Sequence, residues 1–286
     1  MVPIQRRVRT FGLTVLAVAS IGATETIRAA DDVALAPVSA APPVDHEAIG
    51  AALRSGYPGI VAAVGADAVT FADGTEIPLD DGVAGKDGWA RLQASDVEDM
   101  FAVAYRVGAT GPPAHRDDDP GRARSAGFFG KVYGDCAKGE VEADLVDVAW
   151  LASRQGGVVR VTKRNGVASS LERVSAELDR LSPSMTDFLV PPAQGYACRP
   201  IAGTERASAH GYGIAIDINA ASADYWRWTR ADERGAIAYR NAIPSEIVAI
   251  FEAHGWIWGG KWYHYDTMHF EYRPELIAFG RQADRR

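Results

Sequence analysis

The chain reads as an α+β protein, and two observations carry that reading. Short runs alternating apolar and polar residues with period two are joined by tight turns such as Asp73-Gly74 and Asn165-Gly166, which marks antiparallel strands. Separate stretches carry apolar residues at helical spacing and lie beside those strands, not between them in a regular alternation. With 286 residues, 47% hydrophobic and 23% charged, the chain has room for one large domain or a domain with an accessory piece.

Residues 1–30 read as a signal peptide. Arg6, Arg7 and Arg9 form a basic start, and Phe11 to Ala23 is an uncharged run too short to span a membrane. Residues 31–48, rich in Ala and Pro, read as a linker. Removing residues 1–30 takes away four arginines and Glu25 and makes the remaining chain more acidic than the whole, which carries a net charge of −7. An acidic chain gains nothing from counterion release, so nucleic acid is excluded as a partner. The expected address is the periplasm or the exterior, with no stable membrane insertion once the signal is cleaved. In that setting the two cysteines, Cys136 and Cys198, suggest a disulfide, worth ~4 kcal/mol on the chain-entropy model.

Residues 49–140 read as an N-terminal accessory region. Val69-Thr70-Phe71 and Thr75 to Leu79 flank Asp73-Gly74 as a hairpin. Ser95-x-x-Glu98 resembles a capping box, and Val97, Met100, Phe101, Ala104 and Tyr105 form one stripe, predicting an amphipathic helix. Residues 111–127 read as a long loop whose Asp117-Asp118-Asp119 run is solvated.

Residues 141–286 read as the main domain. Val146–Leu151 and Val158–Thr162 are predicted strands around Gly156-Gly157. Ser169-x-x-Glu172 then caps a helix carrying Leu171, Val174, Leu178 and Leu181. Later, Pro244 opens and Gly255 closes a short helix striped by Ile247, Val248 and Phe251.

Two stretches carry the chemistry. From Ile214 to Asn219 the isoleucines face a core, and Asp217 points the other way beside a small Ala215. His210 precedes this strand across the Gly211-Tyr212-Gly213 turn. Met268, Phe270 and Tyr272 alternate with His269 and Glu271 in a second strand. If the two strands are neighbours, His269 sits across from Asp217, because directly opposed residues are ~4.5–5.5 Å apart at Cβ. Two imidazoles and a carboxylate make a three-ligand set with a fourth tetrahedral position for water, the pattern of a catalytic zinc ion.

The spacing Ser-x-His-x6-Asp followed by Asp-x-x-His resembles the LAS-type zinc metallopeptidases, which include D-alanyl-D-alanine carboxypeptidases and L-alanyl-D-glutamate endopeptidases acting on peptidoglycan. The similarity runs from about Val158 to Leu276, and Gly255 to Trp262 matches the Gly/Trp-rich approach to the last histidine. The resemblance implies an antiparallel sheet carrying the zinc site with flanking helices, the hedgehog/D-Ala-D-Ala-peptidase-like arrangement. It implies His210, Asp217 and His269 as zinc ligands, Asp266 as general base, and Arg199 as a substrate-binding and catalytic arginine. Ser208 is expected to bond substrate or hold the His210 loop, His264 to meet substrate or a developing oxyanion, and Trp262 to wall the cleft. Glu271 is a candidate support for His269. The carboxypeptidase branch often has Glu where this chain has Asp266. The Cys198-to-Thr204 approach and the Gly/Trp segment favour a carboxypeptidase, with an endopeptidase as the alternative. Two other classes are a non-haem iron oxygenase, whose His and Asp normally stand closer in sequence, and a zinc-holding binding module, which has no need of Asp266.

Overall fold

The computed structural model describes residues 45–283, apart from 109–114, 116, 117, 193, 202, 203, 205 and 234. The predicted signal peptide and most of the linker lie outside the described residues. Helix α1 (His46–Gly56) opens the described chain, its first turn held by the Asp45 side chain accepting from Ala48 N. It starts inside the stretch read as linker, because Asp45 supplies a cap that the Ala/Pro-rich composition around it hides.

Strands β1 (Val61–Val64), β2 (Ala68–Phe71) and β3 (Glu76–Pro78) form a three-stranded antiparallel sheet, and the β2–β3 turn contains Asp73-Gly74 as expected. The short helix α2 (Gly88–Gln93) follows, capped by Asp87. The helix expected after Ser95 is only a 3-10 turn over Glu98–Phe101. Asp96, not Ser95, accepts from Asp99 N, and the Ser95 hydroxyl bonds the Arg91 carbonyl instead. Val97, Met100, Phe101 and Tyr105 are buried all the same, so the apolar stripe reports burial and not helical geometry.

Helix α3 (Ala126–Tyr133) begins at the end of the predicted loop, where Ser125 accepts from Phe128 N. Strands β4 (Leu145–Ala149) and β5 (Val158–Thr162) pair antiparallel. Helix α4 (Val167–Leu178) starts two residues before Ser169. Asn165 and Gly166 both take left-handed backbone angles there and turn the chain directly into the helix. After α5 (Thr186–Leu189) come β6 (Ala215–Asp217), α6 (Ser245–Ala253), β7 (Trp256–Trp258) and β8 (His269–Tyr272). The last three strands make an antiparallel sheet in the order β6-β8-β7. Helix α7 (Pro274–Ala283) closes the chain and packs on α1, so the stretch read as accessory shares a core with the end of the main domain.

The mix of helices and small antiparallel sheets is α+β. Cys136 and Cys198 are joined, with an S–S distance of 2.07 Å. No helix among the described residues is long and apolar enough to cross a membrane.

Candidate metal centre

The site is built on the register of β6 and β8. Asp217 lies directly opposite His269, Ile216 opposite Phe270 and Ala215 opposite Glu271. Ile214, Ile216 and Ile218 bury the inner face completely, as the alternation requires. The face read as polar is covered as well: Ala215 and Glu271 have no exposed surface and Asp217 keeps 9%.

His210 reaches this face from a 3-10 turn over Ala209–Tyr212. Ser208 caps that turn, its Oγ accepting from His210 N at 3.4 Å, so of its two expected roles the structure displays the one that holds the loop. Gly213 ends the turn at φ 69°, and a Cβ there would stand 2.9 Å from Thr162 N. Gly211 lies against the disulfide, where a Cβ would come within 3.2 Å of Cys136 Sγ. The cross-link therefore packs directly against the loop bearing His210.

The donor atoms of His210, Asp217 and His269 all lie within 4.8 Å of one another. Asp217 Oδ1 stands between the imidazoles, 3.2 Å from His210 Nε2 and 2.8 Å from His269 Nδ1. The far nitrogens are held too. His210 Nδ1 is 2.7 Å from the Gly195 carbonyl, which fixes the proton there and leaves Nε2 as a donor atom for a metal. His269 Nε2 is 3.4 Å from Glu271 Oε1. Glu271 is itself buried in a double ion pair with Arg124, one arm Nε to Oε2 at 2.9 Å and the other Nη2 to Oε1.

Burial alone would raise the Asp217 carboxyl, but the charges and hydrogen bonds of His210 and His269 outweigh it and hold the group far below the usual carboxylate range. Burial would lower His269, yet its bonds to Asp217 and Glu271 push it up to about 10. Glu271 is held low against burial by the Arg124 charge and by His269. Without a metal, protonated imidazole is the counter-charge that these carboxylates hold. A divalent cation is the natural replacement, and two imidazole nitrogens with one carboxylate suit zinc.

Asp266 lies beside this group. Its backbone N–H bonds the Gly259 carbonyl and its carbonyl accepts from His269 N. Asp266 Oδ1 is buried without a hydrogen-bond partner among the described residues. Burial, reinforced by the Asp217 charge and opposed by His269 and Arg122, pushes its carboxyl up to about 7. A buried carboxylate oxygen left unpartnered beside a metal-type donor set fits a group whose partner is a reacting molecule.

The other expected residues divide. Trp262 is buried, donates Nε1–H to the Pro120 carbonyl at 2.7 Å, and lays its ring 5.6 Å from that of His269. His264 Nδ1 is 2.8 Å from Asp119 Oδ2, and its backbone N–H bonds the other carboxylate oxygen at 2.9 Å. Arg199 is exposed and donates to Gln194 Oε1 at 3.0 Å. Its tie to the metal group runs through Gln194, whose backbone exchanges hydrogen bonds with that of Asp217. Asp119 was expected in a solvated loop and is instead 7% exposed, gripping both His264 and Arg122. Asp119, Arg122 and Arg124 were not singled out from the sequence. Asp119 meets His264 across 145 residues and Arg124 meets Glu271 across 147, and no local pattern encodes contacts of that span.

Residues 202–272 match a family model described as D-alanyl-D-alanine carboxypeptidase. The matched stretch contains His210, Asp217, Asp266 and His269, and the resemblance read from their spacing is borne out. Asp119, Arg122, Arg124 and Arg199 fall outside it. No curated protein and no solved structure matches the chain.

Proposed function

We propose that this protein is an exported zinc peptidase that trims peptidoglycan stem peptides, with D-alanyl-D-alanine carboxypeptidase activity as the leading assignment. The observation that carries the reading is the buried convergence of His210, Asp217 and His269 beside Asp266, whose Oδ1 has no hydrogen-bond partner among the described residues. The family match supports a cell-wall peptidase.

In this reading His210, Asp217 and His269 would hold a zinc ion, with His210 Nε2, His269 Nδ1 and an Asp217 oxygen as the available donor atoms. Bound there, zinc supplies a water of lowered pKa and polarises the scissile carbonyl. Asp266 Oδ1 would take a proton from the attacking water and return it to the departing amine, the general-base and general-acid role open to a buried carboxylate oxygen with no protein partner among the described residues. Glu271 holds His269 in its orientation through Nε2, and the Gly195 carbonyl does the same for His210 through Nδ1. Arg199 offers an exposed guanidinium on the segment paired with the Asp217 strand, where a substrate carbonyl or carboxylate can meet it. An L-alanyl-D-glutamate endopeptidase is the second reading, favoured by an Asp at position 266.

The test is incubation of the purified, zinc-supplemented protein with defined muropeptides, followed by mass analysis of the fragments. Free D-alanine identifies a carboxypeptidase, and fragments with a new L-alanine terminus identify an endopeptidase. Intact muropeptides after prolonged incubation would remove the peptidase assignment.

A further inference from the structure

Three arginines crowd one backbone carbonyl beside the candidate centre. The Arg122 carbonyl oxygen accepts from Arg124 Nη1 at 3.4 Å and from Arg206 Nη2 at 3.1 Å. Two of the three charges are balanced: Arg124 by Glu271, and Arg122 by Asp119 at 2.8 Å. Arg206 has no carboxylate partner among the described residues, although it is half-buried next to two like charges. Burial and the charges of Arg124 and Arg122, opposed by the Glu271 carboxylate, pull it down to about 9.

The surroundings place this cation at the rim of the site. Arg206 stands four residues before His210 on a ribbon closed by Ile201 N to Arg206 O at 2.8 Å and Ser208 N to Arg199 O at 3.2 Å. Arg122 lies over the Trp262 ring at 5.8 Å, on the same tryptophan whose ring faces His269. Among the described residues the Arg206 side chain bonds only the Arg122 carbonyl, which leaves most of the donor fork unused, and its partial exposure leaves it open to a molecule arriving from solvent.

We propose that Arg206, backed by Arg122, binds a carboxylate of the peptide substrate. This rests on the peptidase reading above and adds a second guanidinium to Arg199 for substrate recognition. A planar carboxylate accepts two parallel N–H bonds from a guanidinium and adds negative charge where Glu271 is already paired with Arg124. The carboxylate has two sources, the free C-terminus beyond the scissile bond or an acidic group within the stem peptide.

The test compares the zinc-loaded full-length protein with its Arg206→Gln and Arg206→Lys variants. The substrates are three matched peptides: the free acid, the terminal carboxamide, and the peptide with its internal carboxylate amidated. For the wild type, one of the two amidations is expected to raise KM on the order of ten- to hundredfold, the range of a charge-assisted hydrogen bond, and thereby to name the source. Arg206→Gln should show that same rise on the free acid with kcat nearly unchanged, and should no longer distinguish acid from amide. Arg206→Lys should recover part of the discrimination. As a readout independent of turnover, an N-acetylated product peptide bearing the recognised carboxylate should raise the melting temperature of wild type and leave that of Arg206→Gln unmoved. Equal loss of Arg206→Gln activity on acid and amide, or undiminished discrimination, overturns the proposal. If Arg206→Gln does not fold, Arg122→Gln carries the same comparison, and unchanged discrimination there counts against it too. A wild type that cleaves none of the peptides refutes the peptidase reading instead, while the melting shift still decides whether Arg206 binds carboxylates.

Discussion

Among the described residues, two groups of side chains bring metal-type donors within 4.8 Å of one another, His210–Asp217–His269 and Asp80–Asp81–Asp96. They differ in what balances their charge. In the acidic group Lys86 already holds Asp81 and Asp96 at 2.7 and 2.9 Å, and it also reaches Asp99 at 2.6 Å. That cation is covalently attached, and its three hydrogen bonds raise its pKa further despite burial. In the histidine group the counter-charge is a proton on an imidazole, and a proton can leave. Proximity of donors is therefore a poor guide to a metal site. What distinguishes the two is whether the charge already present can be exchanged for an ion from solution.

That contrast can be broken experimentally, and the largest effect belongs to the ligands. His210→Ala or Asp217→Asn should lower zinc affinity by more than the ~10–100-fold typical of a supporting residue, read by competition with a chromogenic chelator. A variant that keeps wild-type affinity would remove that residue from the site. Asp266→Asn should leave zinc content unchanged and cut kcat by ~10²–10⁴, the usual contribution of a general base. The same variant carries a stability signature. Burial raises the Asp266 carboxyl above its unfolded value, so the stabilising effect of the protonated form is lost as pH rises through about 7. Asn at this position should accordingly gain in melting temperature relative to wild type between pH 5 and pH 8.

A smaller effect tests the supporting shell. Glu271→Gln should weaken zinc binding by ~10–100-fold, because His269 Nε2 loses a charged partner. It also strands Arg124 in the interior, a loss on the order of 3–5 kcal/mol in unfolding measurements. The proton exchange itself can be followed. His269 is raised above its unfolded value, so in the metal-free protein its stabilising contribution is complete below an ordinary histidine pKa and fades as pH climbs toward about 10. Metal must displace that proton, so zinc affinity should rise with pH, about tenfold per unit for each proton released. An affinity flat between pH 6 and 9 would contradict the counter-charge argument. The smallest effect is at the acidic group: Lys86→Met should lower the melting temperature modestly, and the wild type should bind one zinc per chain, not two.

Much of the candidate site was legible in the chain. The alternation of Ile214, Ile216 and Ile218 placed Asp217 on the opposite face, and the strand around His269 followed from the same period. Their register was conditional on the two strands being neighbours, and Asp217 does lie opposite His269. The hairpin at Asp73-Gly74 and the β5 boundaries were readable because turn chemistry and period-two patterns are local. The 95–105 helix failed for the opposite reason. Its apolar stripe is real, but the chain makes only a 3-10 turn over Glu98–Phe101, and Tyr105 is buried where its hydroxyl donates to Glu252, 147 residues away.

Local chemistry in the sequence thus determined the α+β class and the set of groups able to hold a metal, since turn residues, alternation and donor type act over a few positions, whereas the pairing of Cys136 with Cys198 spans 62 residues and was only suggested. Tertiary structure decided the environment of those groups: that Glu271 is buried behind His269, that Asp119 grips His264, and that Arg206 is left without a counter-charge among the described residues. Such facts depend on which distant segments share one small volume, and desolvation and charge balance exist only once they do.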